Sequence, residues 1–241
     1  KKMFTETYDS QVRTSTVVGP GSDAGVIRIR GTKKALAMTT DGNGRFIYLN
    51  PEVGGKMAVL EAATNIISSG ALPLAITDCL NYGDPNDPEA CRTLDTPVIS
   101  GNVSLYNENN GEAIYPTAMI GMVGLIKDVY RTVPSFVQNV GDKLYLVGKT
   151  GNDFNGSELQ KLLNKKISGD LNDFDLEKVS SYLKNLLAAM EQGLVSSSHD
   201  LSEGGLGVSL AEMVFGTDKG IKVSLDMKKE LLFSETPGRL V

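Results

Sequence analysis

The sequence has 241 residues, with 24 basic and 29 acidic side chains and a formal net charge of −5. This length predicts two domains, because one domain usually takes about 100 to 200 residues. The acidic balance and the lack of a basic run argue against nucleic acid as a partner. No apolar run approaches the roughly 20 residues that cross a bilayer, so we expect a cytoplasmic chain with no membrane partner.

The cysteines and the two ends of the sequence give two further indications, one on the thiols and one on the extent of the polypeptide. Cys79 and Cys91 lack the spacing of a metal site, so each is expected to be a buried free thiol. The sequence begins without Met and closes on LFSETPGRLV, which is typical of a strand about to continue. We therefore expect the sequence to be a piece of a longer polypeptide.

The first half of the sequence predicts a sheet with one covering helix. Apolar and alternating residues over 26–40 predict a hairpin around the turn at 31–34. A 3.6-residue period ending at Gly70 predicts a helix, with an inner face of Val59, Ala63, Ile66 and Ile67. Three more apolar runs predict strands, over 74–80, 97–100 and 117–126. The last is nearly continuous, so we expect it to be covered on both faces.

A change of composition over 128–142 predicts a domain boundary, with one domain at 1–130 and a second at 131–241. The second domain opens at KLYLVG and continues with a helix capped at Ser157. Helical periodicity then recurs over 176–190 and again from Ser202. Helices interleaved with strands predict an α/β or α+β fold, and the hairpin favours a mixed or antiparallel sheet.

Polar residues cluster in four segments that are expected to be loops following strands. Their glycines allow the backbone to approach an anion, and Asp and Asn oxygens suit Mg²⁺. Any one of them would more often be an ordinary turn, but the repeated design favours nucleotide and Mg²⁺ chemistry. The segments are TTDGNGR (39–45), TDCLNYGDP (77–85), SGNVSLYNE (100–108) and SSSHDLSEGGLG (196–207).

His199 is the single histidine and precedes Asp200. The pair admits a general-base interpretation, or a helix start at which Asp200 or Ser202 is the cap. We favour capping or loop packing, because the sequence places no nucleophile to receive a proton.

Five segments together resemble the C-terminal half of the PurL family of phosphoribosylformylglycinamidine synthases. They occur in the family's order and span nearly the whole chain. The resemblance implies a PurM-like two-domain unit, related to aminoimidazole ribonucleotide synthetase, with an N-terminal mixed sheet domain under covering helices and a C-terminal α/β domain. The segments are ALAMTTDGNGRFIYLNPEVGGK, PLAITDCLNYGDP, TPVISGNVSLYNE, YPTAMIGMVGLI and SSHDLSEGGLGVSLAEM.

The resemblance also implies an activity, which is that of a C–N ligase of purine biosynthesis. Formylglycinamide ribonucleotide (FGAR), ATP and glutamine-derived ammonia would give formylglycinamidine ribonucleotide (FGAM), ADP and phosphate. The amide oxygen is a poor leaving group, so ATP would activate it, and the protein's task would be to position phosphates and Mg²⁺. The implied partners are the first half of the same chain, the amidotransferase subunit PurQ and the small subunit PurS.

Four residues carry over from the family. Asp78 and Gly101 would contact ATP, Asn102 would bind Mg²⁺ and Ser104 would contact the substrate. The family's catalytic histidines and main metal carboxylates lie in the first half, so we expect no catalytic residue in this chain, His199 included. The segments 41–45 and 199–205 correspond to working loops of the first half, and could form an auxiliary or a vestigial nucleotide site.

Two departures from the family pattern stand out. The family has a helix where Glu89 here joins Ala90 directly, so either the loop is shortened or intervening residues are omitted. We favour omission, because without that helix the strands at 74–80 and 97–100 would be joined through a loop with no cover. SETPGR near the end replaces a serine-rich loop, which puts a phosphate contact by that loop in doubt.

Two other functions stay open. One is a different ATP-dependent synthetase of the same fold, and the other is a structural or docking half that holds a non-exchanging nucleotide. An exposed sheet edge is expected to make the isolated chain a homodimer.

Overall fold

A computed structural model describes residues 11, 14–82, 97–109 and 111–241 of the chain. The expected junction of Glu89 with Ala90 and the thiol of Cys91 lie outside the described residues. Within the part that is described, no helix has the length and apolar character needed to cross a membrane.

A six-stranded mixed sheet forms the N-terminal part, as predicted. The strand order is β1-β2-β3-β8-β4-β5, and every neighbouring pair is antiparallel except β4 with β5. Its strands are β1 (Thr16–Val18), β2 (Gly25–Arg28), β3 (Ala35–Asp41), β4 (Leu72–Tyr82), β5 (Val98–Leu105) and β8 (Thr117–Ile126). Two short antiparallel pairs accompany it, β6 (Glu108–Asn109) with β7 (Glu112–Ala113), and β9 (Asp200–Leu201) with β10 (Arg239–Leu240).

Two consecutive helices, α1 (Gly44–Leu49) and α2 (Pro51–Ser68), follow β3. Asn50 separates them, and its side-chain oxygen accepts a hydrogen bond from the Val53 backbone N–H, while Pro51 occupies the first turn of α2. The predicted inner-face residues of α2 are buried, and Leu60 on another side of the helix is buried as well. The helix is enclosed because it packs on the sheet and also on a helix from the C-terminal part.

The C-terminal part contains α3 (Glu158–Asn164), α4 (Leu176–Glu191) and α5 (Gly205–Glu212). Ser157 caps α3 as predicted, since its hydroxyl accepts a hydrogen bond from the Gln160 N–H at 3.1 Å. The predicted helix over 176–190 is confirmed, and the buried stripe of α4 packs against Leu60 and Ile67 of α2. This contact joins the two parts of the chain through one apolar core.

Several sequence predictions are wrong, and the predicted loop 77–85 is strand β4 as far as Tyr82. The predicted strand 97–100 continues to Leu105, so residues 100–105 are sheet and not loop. Strand β8 alternates between buried and half-exposed residues, so only one of its faces is covered. Helix α5 begins after Gly204 without any side-chain cap, so neither Asp200 nor Ser202 caps it. Gly205 is needed there, because a Cβ would meet the Ser234 carbonyl oxygen.

Candidate functional site

The first candidate region is a row of residues that crosses four strands. In the sheet register, Ile120 of β8 lies opposite Asp41 of β3 on one side and opposite Asp78 of β4 on the other. Asp78 lies opposite Gly101 of β5. Residues opposite one another in a ladder project to the same face, and Ile120 is buried. The row therefore lies on the helix-covered face of the sheet.

Gly101 and Asp78 are in direct contact within this row. A Cβ built on Gly101 would overlap the Oδ1 atom of Asp78, so a side chain at position 101 would displace that carboxylate. The structure thus gives a physical reason for a glycine here. It brings together the two residues expected to face ATP.

Asn102 and Ser104 project to the opposite, open face. Asn102 lies opposite Cys79, and its Oδ1 atom is 3.9 Å from the Cys79 sulfur. The Ser104 hydroxyl is 3.1 Å from the Asn107 side-chain oxygen, and the Asn107 amide donates to the Ser104 carbonyl at 2.8 Å. Asn107 therefore holds the backbone and side chain of Ser104 at the end of β5.

The four residues thus divide between the two faces of one strand pair. In the described sheet β5 is an edge strand, so a ligand that contacted all four would have to pass around this edge. Asn102 is exposed and offers one hard amide oxygen beside a soft thiol. This set fits Mg²⁺ only where phosphates, water or residues outside this chain complete the coordination.

The second candidate region lies where α2 and the end of β3 meet β9 and α5. We call it the junction cluster. Its members are ionisable side chains from both parts of the chain that interact electrostatically or by hydrogen bonding. They are Asp23, Asp41, Arg45, Glu61, His199, Asp200, Glu203 and Glu235.

Arg45 ties the start of α1 to the start of α3 and to the loop before α5. Its guanidinium lies 2.7 Å from a carboxylate oxygen of Glu158 and 2.7 Å from one of Glu203, and its Nε donates to the Gly156 carbonyl at 2.9 Å. The Asn43 amide also donates to Glu203, at 3.2 Å. The segment 43–45 is therefore fastened across the cluster by ion pairs internal to the chain.

Glu235 of the SETPGR segment occupies a position suited to an anion. Its Oε1 accepts hydrogen bonds from the backbone N–H groups of Glu158 and Gly204, both at 2.9 Å, while its Oε2 is buried without a partner. Burial raises the pKa of Glu235 despite those hydrogen bonds. Because a carboxylate already takes these N–H groups, they are not available to a phosphate.

Several acids of the junction cluster hold their protons unusually strongly. Burial raises the pKa of Asp41 to about 6 against the hydrogen bonds from Thr39 and Asn65. Burial, with added repulsion from neighbouring carboxylates, raises the pKa of Glu61 to about 8. Glu61, Asp200 and Glu235 line a cavity of about 30 Å³. That volume has room for about one water molecule.

Asp23, His199 and Asp200 each offer one ligand atom within 4.8 Å of the others, which is close enough for a single cation. However, the His199 Nδ1 atom already lies 2.6 Å from Asp23 Oδ1, and its Nε2 lies 3.3 Å from a Glu212 oxygen. The imidazole is thus engaged through both nitrogens. We interpret this group as an ion-pair network and not as a metal centre.

The chain matches two family models, which describe the two domains of one family. The N-terminal domain of AIR synthase related protein matches residues 21–126, and its C-terminal domain matches residues 139–241. The chain therefore belongs to the AIR synthase related family. The PurM-like α/β fold expected from the sequence is confirmed.

Within that family, the chain is similar along its whole length to the C-terminal part of PurL proteins. Phosphoribosylformylglycinamidine synthase subunit PurL of Limosilactobacillus fermentum is 65% identical over 255 residues, covering 100% of this chain and 34% of the relative. The structure of PurLQS from Thermotoga maritima is 28% identical with a TM-score of 0.67, covering 99% of this chain and 37% of that one. T. maritima PurL complexed with ATP is 27% identical with a TM-score of 0.64, covering 98% and 36%. The chain spans about a third of the length of the curated relatives it matches.

Sequence reasoning missed the roles of Glu61 and Asp23. Glu61 carried a signal, since it is an acid between buried Leu60 and Ala62 in an apolar helix. Asp23 carried none, because its partner His199 lies 176 positions away. The residues it did select at 78, 101, 102 and 104 lie side by side on β4 and β5.

Proposed function

We propose that this chain supplies the ATP-facing part of a phosphoribosylformylglycinamidine synthase, a C–N ligase of purine biosynthesis. The enzyme would convert FGAR, ATP and glutamine-derived ammonia to FGAM, ADP and phosphate. The observation that carries the proposal is the Asp78 carboxylate lying against Gly101 at the edge of the sheet. Support also comes from 65% identity to a PurL subunit and from the ATP complex of a PurL structure.

Each site residue has a role within this proposal. Gly101 leaves room for the Asp78 carboxylate and for the backbone to approach ATP. Asn102 offers an amide oxygen to Mg²⁺, which would neutralise charge on the phosphates. Ser104, held by Asn107, would donate a hydrogen bond to FGAR. No residue of this chain acts as the acid or base of the reaction, and the chain alone is inactive.

The open face of the sheet is proposed to pack against the preceding part of a PurL chain. Its apolar side chains are incompletely covered, with Met38 and Met119 each 38% exposed. The β5 edge also exposes Ile99 at 70% and Val103 at 55%. PurQ and PurS are proposed partners, supported by the PurLQS assembly of T. maritima. The division at 128–142 and the cytoplasmic location are likewise part of the proposal.

Reconstitution tests the function. The chain is mixed with the remaining two thirds of the L. fermentum relative, and phosphate release is measured with FGAR, ATP, Mg²⁺ and ammonia. We expect activity only in the mixture, and we expect Asp78→Asn to raise the KM for ATP at least tenfold. Full activity of Asp78→Asn would refute the site assignment. No activity in a mixture that forms the complex would refute the function.

Light scattering tests the packing surface. The isolated chain is expected to form a homodimer through the open face and the β5 edge, and Ile99→Lys is expected to make it monomeric. Leu163→Lys is the matched control, because Leu163 is 73% exposed on α3, away from the sheet. A monomer at all concentrations would contradict the proposal.

A further inference from the structure

The His199 ring lies between carboxylates from three separate elements. Its Nδ1 is 2.6 Å from Asp23 in the loop between β1 and β2, and 3.4 Å from Asp200 of β9. Its Nε2 is 3.3 Å from Glu212 at the end of α5. An ionised carboxylate only accepts hydrogen bonds, so a ring between ionised Asp23 and ionised Glu212 would donate from both nitrogens. This geometry favours the imidazolium form of His199.

Asp23 extends this network to the end of α2. Its side chain is only 2% exposed, and its Oδ2 accepts hydrogen bonds from the Ser68 hydroxyl at 2.6 Å and from the Asp200 backbone N–H at 3.2 Å. A nearby positive charge offsets the desolvation cost of a buried carboxylate when it is ionised. His199 provides that charge from the other part of the chain.

We propose that His199 is a positioning residue that acts as a fixed cation, fastening the Asp23 loop to β9 and α5 and so setting the position of Asp200. A bound metal ion often has this role in a group of carboxylates. Here a protonated side chain of the chain itself fills it. Neither ATP nor the partner subunits are needed for this role, so it stands independently of the proposed reaction.

The electrostatics of the surrounding groups agree with this geometry. Burial alone would lower the pKa of His199, but Asp23, Asp200 and Glu212 outweigh burial and raise it to about 9. Asp41 adds negative charge near Asp23 and Asp200. Because the pKa is raised on folding, the stabilisation is complete below the unfolded-state pKa near 6.5. It is lost as the pH rises through about 9.

His199 can be observed directly, because it is the single histidine of the chain. A two-dimensional NMR titration of its ring Cε1–H resonance in the 241-residue chain is expected to give a pKa above 8. The ring nitrogen shifts at pH 7 are expected to be those of an imidazolium. A pKa of 6.5 or lower, or a neutral ring at pH 7, would overturn the proposal.

Two substitutions separate positioning from simple packing. Asp23→Asn is expected to lower the pKa of His199 by at least one unit, whereas Asp226→Asn, at an exposed position, is expected to leave it unchanged. His199→Gln is expected to lower the folding equilibrium constant at least tenfold at pH 7 and to reduce the stability loss between pH 6.5 and 9, leaving the part that comes from Glu61. The NMR readout on Asp23→Asn still decides the question if His199→Gln fails to fold.

A double variant and a metal titration complete the test. Asp23→Asn combined with His199→Gln replaces two opposite charges by two neutral amides, and is expected to recover part of the stability lost by either single change. Mn²⁺ added to the chain is expected to leave the His199 resonance sharp. Purely additive losses, or selective broadening of that resonance at Mn²⁺ concentrations equal to the protein, would refute the role of a fixed internal cation.

Discussion

The β4–β5 edge and the junction cluster use similar residue types in opposite surroundings. At the edge, Asn102 is exposed and Asp78 is only half-buried, and their partners are a thiol and a glycine. In the junction cluster, most carboxylates are at least partly buried, and Arg45 and His199 of the same chain form ion pairs with several of them. The edge thus leaves its polar groups available to a ligand, while the junction cluster satisfies most of its own. The similar loop sequences do not show which polar groups are available to a ligand and which are satisfied within the chain. The contacts in the structure do show this.

The largest expected effect is that of Gly101→Ala at the edge. The new Cβ would displace the Asp78 carboxylate, so the reconstituted synthase should lose at least about 100-fold in rate, corresponding to roughly 2.7 kcal/mol. Phosphate release measures the loss. Gly25→Ala is the matched control, because a Cβ there meets only the Met38 carbonyl oxygen at 3.9 Å. Equal rates for the two variants would mean that the edge is not the ATP-facing region.

Glu61→Gln tests the buried acids of the junction cluster. Because burial raises the pKa of Glu61 to about 8, the wild-type chain loses stability as the pH rises from 4.5 to 8. The amide removes the part of the loss that comes from Glu61, so the variant should be more stable by up to about 5 kcal/mol at pH 9 and nearly unchanged at pH 4. Urea unfolding at both pH values measures this. Glu177→Gln, at an exposed position, should show no such difference, and a destabilised Glu61→Gln at pH 9 would contradict the assignment.

Arg45→Ala tests how firmly the junction cluster is held together. The change removes two ion pairs and a hydrogen bond at a side chain that is 14% exposed, so we expect a loss of about 1 to 2 kcal/mol in unfolding free energy. Lys127→Ala breaks the exposed pair with Glu191 and should cost less than about 0.5 kcal/mol. Similar losses of unfolding free energy for the two variants would show that the ion pairs of Arg45 stabilise the chain no more than an exposed ion pair does.

The smallest expected effect on stability is that of Asn102→Ala. Asn102 is exposed and makes a weak contact with Cys79, so the free energy of unfolding should change by less than about 0.5 kcal/mol. The reconstituted enzyme should nevertheless need at least tenfold more Mg²⁺ for half-maximal rate. Asn164→Ala, at the exposed end of α3, should change neither quantity. An unaltered Mg²⁺ requirement would remove Asn102 from the metal site.

Local patterns in the sequence predicted the elements whose signals are local. The hairpin of β2 and β3, the Ser157 cap and the apolar stripe of α4 each follow from neighbouring residues. Strand β5 was predicted too short, because Gly101 and Asn102 have turn propensity that pairing with β4 overrides. The junction cluster was predicted only in part: the resemblance paired segments 41–45 and 199–205, but it did not indicate Asp23, which lies 176 positions from its partner His199.

Strand β8 pairs with a strand of each region, β3 and β4, and so fixes the position of one region relative to the other. Ile120 lies opposite both Asp41, which belongs to the junction cluster, and Asp78, which belongs to the edge. A shift of β8 by one residue would turn Ile120 to the open face and misalign both aspartates at once. The spacing between the buried charge network and the β4–β5 edge is therefore set by the alignment of one strand. An insertion or deletion within β8 would damage both, even though it touched neither set of polar residues.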